Sequence, residues 1–246
     1  MARYSIDFYS KALLRKINIR VTIPSLNLQE TLKNKDEQFY ENRRDEKFPL
    51  IVALCGFGED QVSWQTNTQI ESLCEKHRCA AVYINGENKW YLNHGPLLDY
   101  YDLVERDVLD FVYGNFANLS REKPLIILGN SMGGYGALYH YLKNVDKYQA
   151  CVALSPATKP DYLDESKYGT LKDLFLENKG KKMNVYLIFG EKYFIIDASH
   201  EFDEFLKENE VGVRYIFRPD YDHSWLMWKD EIFRVFDYLN KEGLIG

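Results

Sequence analysis

Ser131 lies between two glycines, in Gly129-Asn130-Ser131-Met132-Gly133. A serine hydroxyl is a weak nucleophile at neutral pH and becomes a useful one when the chain presents it on a sharp turn beside a base. The surrounding residues predict such a turn. "LIILGN" (125–130) reads as a short buried strand and the stretch after it as a helix, so Ser131 falls at the junction. On so tight a turn, side chains two residues before and two after would collide with the neighbouring strand and helix, and glycine avoids that. A serine at a helix start also has unpaired backbone N–H groups beside it, that of Met132 first, and the positive end of the helix dipole. Those groups suit an oxygen that gains negative charge during a reaction. A phosphate-binding loop would need a Lys-Ser/Thr pair after the glycines, and a dinucleotide fingerprint would need glycine at 131; neither is present.

Such a serine needs a base. Three of the five histidines follow it, and His140 belongs to the serine's own helix, which leaves His200 and His223. His223 stands in "RPDYDHSW", between a strand read at 211–219 and a final helix read at 225–240, whereas His200 in "DASHEFDEF" reads as a helix-surface residue. His223 is the expected base. A second oxyanion donor should come from the loop after an early strand, "LCGFGEDQVSW" (54–64), through the backbone N–H of Gly56 or Phe57.

The elements that must hold these residues alternate along the chain. Strands are expected at 50–56, 79–85, 125–130, 151–156, 184–190 and 211–219, with helices at 66–77, 100–116 and 225–240 between and after them. That order predicts an α/β fold with a mostly parallel sheet covered by helices on both faces. Residues 16–24 and 39–54 read instead as an antiparallel N-terminal edge. The polar, proline-containing stretch 156–182 fits no alternation, and it is read as a small cap or loop insertion in a single domain spanning 1–246. Tyr83, Trp90, Tyr91, Tyr100 and Tyr101 gather near the end of the 79–85 strand, where they could line a pocket or simply pack.

The 246 residues are 46% hydrophobic, enough for a substantial core, and the net charge of −6 with no long basic run argues against a nucleic-acid partner. Cys55, Cys74, Cys79 and Cys151 show no CxxC spacing and are read as reduced core thiols. The N-terminus lacks a continuous apolar segment and no window is long enough to span a membrane, so a cytoplasmic protein without a membrane partner is expected.

Two further stretches complete a pattern. "GNSMGGYGAL" and "DHSWLMWKDEIFRVFDYL", with "FPLIVALCGFGEDQVSW" and the opening "FYSKALLRKINIRVTIP", resemble the α/β-hydrolase esterases of the esterase D type, among them tributyrin esterases, S-formylglutathione hydrolases and feruloyl or acetyl esterases. The likeness extends over nearly the whole chain. It implies an α/β-hydrolase fold and cofactor-independent hydrolysis of a small-molecule ester through an acyl-Ser131 intermediate. It further implies His223 as general base and then acid, with the N–H groups of Met132 and Phe57 as oxyanion donors. The sequence departs from the family at two positions. Cys55 replaces a histidine before Gly56, and Tyr193 stands where the family places its triad acid. Asp197, Glu191 or Asp161 could substitute, and Asp197 is preferred because it lies in the corresponding loop just before an expected helix start. The incomplete triad keeps two other functions open: a catalytically weakened hydrolase used for small-molecule binding or regulation, and an acyltransferase using the same serine. Oligomeric state is not legible.

Overall fold

The computed structural model describes residues 1–33, 36–160, 163–192 and 196–246. Asp161 and Tyr193, both named above, lie outside the described residues. Eight strands form one sheet: β1 (Ala2–Ser10), β2 (Arg15–Ile23), β3 (Leu50–Leu54), β4 (Ala80–Ile84), β5 (Leu125–Asn130), β6 (Ala150–Leu154), β7 (Val185–Lys192) and β8 (Arg214–Asp222). Their order across the sheet is β1-β2-β4-β3-β5-β6-β7-β8. From β4 onward every pairing is parallel, while β1–β2 and β2–β4 are antiparallel.

The middle strands are apolar on both sides because both sides are covered. In β3, Leu50, Val52 and Leu54 enter one core layer, and Ile51 and Ala53 enter the other. The first layer packs under the helix Met132–Lys143, here the serine helix, together with Leu171, Phe175 and Phe202. The second lies under the C-terminal helix Trp225–Lys241, whose Met227, Trp228, Ile232, Val235, Phe236 and Leu239 repeat at helical spacing on one buried face.

The N-terminal edge is antiparallel as expected, but its strands are β1 and β2 rather than 16–24 with 39–54. Glu37–Asp45 is a helix with no buried residue, and β3 runs parallel to β4. The helix evades periodicity because it has no apolar face to reveal it, and β1 because only Ile6 and Phe8 of its alternating side chains meet the core. The expected helix at 66–77 is divided into Ser63–Asn67 and Ile70–Lys76 at Thr68, whose hydroxyl donates to Trp64 O (2.6 Å) and accepts the Ile70 N–H (3.1 Å). Tyr83, Tyr91 and Tyr100 are fully buried and Trp90 nearly so, which makes these aromatics core packing.

Candidate active site

Ser131 follows the last residue of β5 and precedes the first of the serine helix, at φ 52° and ψ −118°. That is a sparsely populated backbone conformation for a residue with a Cβ, and neighbouring contacts hold it. The Ser131 N–H donates to Leu154 O (2.9 Å) at the end of β6, and its carbonyl accepts the N–H groups of Tyr135 (3.0 Å) and Ala157 (3.2 Å). The two glycines carry the expected steric load. A Cβ on residue 129 would lie 2.0 Å from Gly133 O, and one on residue 133 would lie 2.3 Å from Leu54 O. Glycine at these positions lets the turn close and lets the helix sit against β3.

The end of β8 presents the base. Arg218 Nε donates to Glu231 Oε1 (2.8 Å) and the Tyr221 hydroxyl to Asp230 Oδ2 (2.6 Å), so the strand is tied to the C-terminal helix immediately before His223. The imidazole Nε2 then lies 2.9 Å from Ser131 Oγ, and its ring stands edge-on to Trp228, with centroids 5.1 Å apart. Burial lowers the His223 pKa to about 4, although the neighbouring Asp222 charge pulls it upward. The ring is therefore neutral at pH 7 and can accept the serine proton.

In the loop after β3 the two candidate donors differ in their partners. The Gly56 N–H is taken by Glu59 Oε2 (2.7 Å) and the Gly58 N–H by Asn88 Oδ1 (2.7 Å), while the Phe57 N–H has no acceptor among the described residues. The Phe57 side chain is exposed. Met132 opens the serine helix, so its N–H is among the donors that the helix itself leaves unpaired. Cys55, in place of the family's histidine, has its Sγ 3.4 Å from the Tyr91 hydroxyl and 3.5 Å from Ile84 O, and burial pushes its thiol up to about 11. It packs as a small buried group.

Three features thus stand together: a strained serine, a neutral imidazole at hydrogen-bonding distance, and a loop N–H without an acceptor among the described residues. A match to the Esterase family model over residues 33–236 accompanies them. The chain belongs to the Esterase family. It is a carboxylic ester hydrolase. It is 24% identical to an acetyl esterase of Caldicellulosiruptor saccharolyticus over 98% of this chain and 99% of that protein. It is 28% identical to an S-formylglutathione hydrolase of Arabidopsis thaliana over 59% of this chain and 56% of that one. In fold it is similar to the S-formylglutathione hydrolase structure from Staphylococcus aureus, with a TM-score of 0.79 at 22% identity over 97% of this chain and 98% of that one. A ferulic acid esterase structure gives the same TM-score at 16% identity, over 98% of this chain and 97% of that one.

In this esterase the triad acid is the element that sequence reasoning and structure do not jointly deliver. Asp197 lies exposed in the first turn of the helix Ile196–Glu208, and no hydrogen bond joins it to His223. A carboxylate there is stabilised by the helix N-terminus in solvent, which competes with turning toward the imidazole. Glu191 is also exposed, on β7. Lys192, the last residue of β7, pairs with Asp222, the residue before His223. His200 stacks on Phe217 at 4.5 Å on the helix surface, as its sequence context implied.

Sequence reasoning missed Glu59 and Asn88 around the loop after β3, and took Tyr91 only as pocket lining or packing. Glu59 Oε2 accepts both the Gly56 N–H and Asn130 Nδ2 (3.1 Å), and the Tyr91 hydroxyl donates to Cys55 O (3.0 Å). Glu59 lay in the loop segment already singled out. Asn88 and Tyr91 act from thirty and thirty-six residues along the chain, with no motif to signal it.

Proposed function

We propose that this esterase hydrolyses small carboxylic esters, with short-chain or aromatic acyl groups, through an acyl-Ser131 intermediate. Ser131 Oγ attacks the ester carbonyl while His223 Nε2 takes its proton, and the C–O π electrons become an oxyanion facing the Met132 and Phe57 N–H groups. The oxyanion collapses, the alkoxide leaves with the proton from His223, and the acyl group stays on Ser131. Water, deprotonated by the same imidazole, then attacks the acyl-enzyme and releases the acid and the free serine. The observation that carries this reading is the 2.9 Å approach of Nε2 to Oγ at a helix N-terminus. No step calls for a cofactor. The acetyl esterase relative and the ferulic acid esterase fold support small or aromatic acyl groups.

Asp197 is the acid in this proposal, turning from solvent to orient the imidazole once substrate is bound. Catalytic hydrogen bonds often tighten only in the complex, and an exposed carboxylate is free to move. The described part of 156–182 belongs to the same single domain and caps the site in this reading. Supporting this, the Ala157 N–H donates to Ser131 O (3.2 Å), and the Tyr168 hydroxyl donates to Asn93 O (3.0 Å). Four buried free cysteines are in keeping with a reducing, cytoplasmic setting.

The test is hydrolysis of p-nitrophenyl acetate and butyrate by the wild type beside Ser131→Ala, His223→Ala and Asp197→Asn. The proposal expects robust wild-type turnover and loss in all three. Loss in only the serine and histidine variants removes Asp197 from the mechanism. The exposed Asp197 favours one second reading, a weakened hydrolase that binds a small molecule, and a stoichiometric small-molecule ligand on a wild type no faster than Ser131→Ala would support it.

A further inference from the structure

The loop that carries Phe57 is held by three side chains, those of Tyr91, Glu59 and Asn88. Its entry is held by the Tyr91 hydroxyl, which donates to Cys55 O (3.0 Å) and lies 3.2 Å from Ile84 O. Its Gly56 N–H is held by Glu59 Oε2 and its Gly58 N–H by Asn88 Oδ1, both at 2.7 Å. Two of the three clamps come from 86–91, where Glu87, Asn88, Trp90 and Tyr91 all have positive φ, between 44° and 60°. So dense a run of left-handed residues costs free energy at each non-glycine position and persists only where other contacts over-determine it. Those contacts are present. Tyr91 O accepts from His140 Nε2 (2.9 Å), whose Nδ1 meets Glu105 Oε1 (2.5 Å), and Glu87 Oε2 accepts from the Tyr100 hydroxyl (2.8 Å) and Arg15 (2.5 Å).

Glu59 occupies the point where loop and elbow meet. One oxygen, Oε2, accepts from Gly56, the residue before one oxyanion donor, and from Asn130, two residues before the other. The position of that single atom therefore sets the gap between the Phe57 and Met132 N–H groups. Its carboxyl is half-buried, and burial pushes its pKa up against the hydrogen bonds from Asn130 and Gly56 that favour the charged form.

We propose that Glu59 and Asn88 are positioning residues for ester hydrolysis, which fix the oxyanion loop so that the Phe57 N–H alone of its three successive N–H groups faces the reacting oxygen. This rests on Ser131 being the nucleophile. Oxyanion donors stabilise the transition state more than the ground state, so loosening them lowers kcat and leaves KM almost unchanged. Removing a donor outright costs about 10²–10³ in kcat, and a donor displaced by a fraction of an ångström costs less, on the order of 10–100-fold.

The experiment compares kcat and KM for p-nitrophenyl butyrate, and inhibition by an alkylboronic acid that forms a tetrahedral serine adduct, in Glu59→Ala, Glu59→Gln, Asn88→Gly and Asn88→Asp. Glycine at 88 removes the acceptor without adding backbone strain, and aspartate keeps it. A glutamine carbonyl at 59 can accept from both donors as Oε2 does. The expected result is a roughly 10–100-fold fall in kcat for Glu59→Ala and Asn88→Gly at nearly constant KM, with boronate affinity falling in parallel and both conservative variants within about threefold of wild type. Thermal melts identify any variant that has merely lost its fold. Wild-type kcat in both truncations overturns the proposal, as does a loss confined to KM or a Glu59→Gln loss equal to that of Glu59→Ala. A wild type no faster than Ser131→Ala overturns the nucleophile itself, and this proposal with it.

Discussion

The buried imidazole of His223 makes the sharpest prediction, because its acid limb should lie far from that of an ordinary histidine. The ring has a pKa of about 4, lowered by burial against a smaller upward pull from Asp222. At pH 5 roughly nine-tenths of such a base is neutral, against about one-thirtieth for a solvent-exposed histidine near 6.5. Acidification from pH 8 to pH 5 should therefore cost kcat/KM little, where a normal histidine would cost about thirtyfold. The assay is p-nitrophenyl butyrate hydrolysis from pH 3.5 to 8 in buffers of constant ionic strength, with the product read at its isosbestic wavelength. Because kcat/KM reports the free enzyme and kcat the enzyme–substrate complex, the two profiles need not coincide. If Asp197 turns onto the imidazole when substrate binds, its charge raises the limb of kcat above that of kcat/KM, and Asp197→Asn abolishes the difference. A kcat/KM limb at 6.5 or higher in the wild type would refute the burial argument. The same shift is a stability statement. A depressed histidine contributes stability that is complete above about pH 6.5 and is lost as pH falls to about 4, a total of about 3 kcal/mol.

Three other outcomes follow from particular contacts. Gly133→Ala would put a Cβ 2.3 Å from Leu54 O and push the serine helix off β3; an overpacking cost of about 1–3 kcal/mol should appear in denaturant melts, with a fall in kcat because the same shift moves the Met132 N–H. Glu105 accepts from His140, Lys147 (2.6 Å) and Tyr148 (2.7 Å); burial alone would raise its pKa, but His140 and Lys147 outweigh it and hold the carboxylate at about 2. Its contribution is thus present above about pH 4.5 and lost as pH falls toward 2, and Glu105→Ala should destabilise by about 3–5 kcal/mol in urea at pH 7, flattening the acid-denaturation curve over that window. Glu231→Ala frees Arg218 and Arg234 from a fully buried carboxylate and loosens the end of β8; kcat should fall along with Tm, which separates it from a surface pair such as Arg44–Glu37, whose loss should move neither.

The pairing of Ser131 with His223 was legible because its signals are local. Ser131 is announced by glycines two residues away and by a change from strand to helix periodicity, and His223 by the strand and helix that flank it. The mostly parallel sheet follows from the same alternation of apolar strands and amphipathic helices. What stayed hidden depends on contacts between distant segments or on elements without an apolar face. Glu37–Asp45 buries nothing, so no stripe betrays a helix. β1 shows the core only Ile6 and Phe8. That the Gly56 and Gly58 N–H groups are taken depends on where the Glu59 and Asn88 side chains turn, which no spacing rule reveals. Asp197 was chosen by its place in the chain, and its helix-start position, which made it a candidate, also stabilises it in solvent.

The central claim is that Ser131 is the nucleophile, and intact-protein mass spectrometry after exposure to a fluorophosphonate tests it most directly. One phosphonyl adduct on the wild type, mapped by peptide digestion to Ser131, absent from Ser131→Ala and formed far more slowly by His223→Ala, is the predicted result. An unmodified wild type, or an adduct that persists in Ser131→Ala, would contradict it.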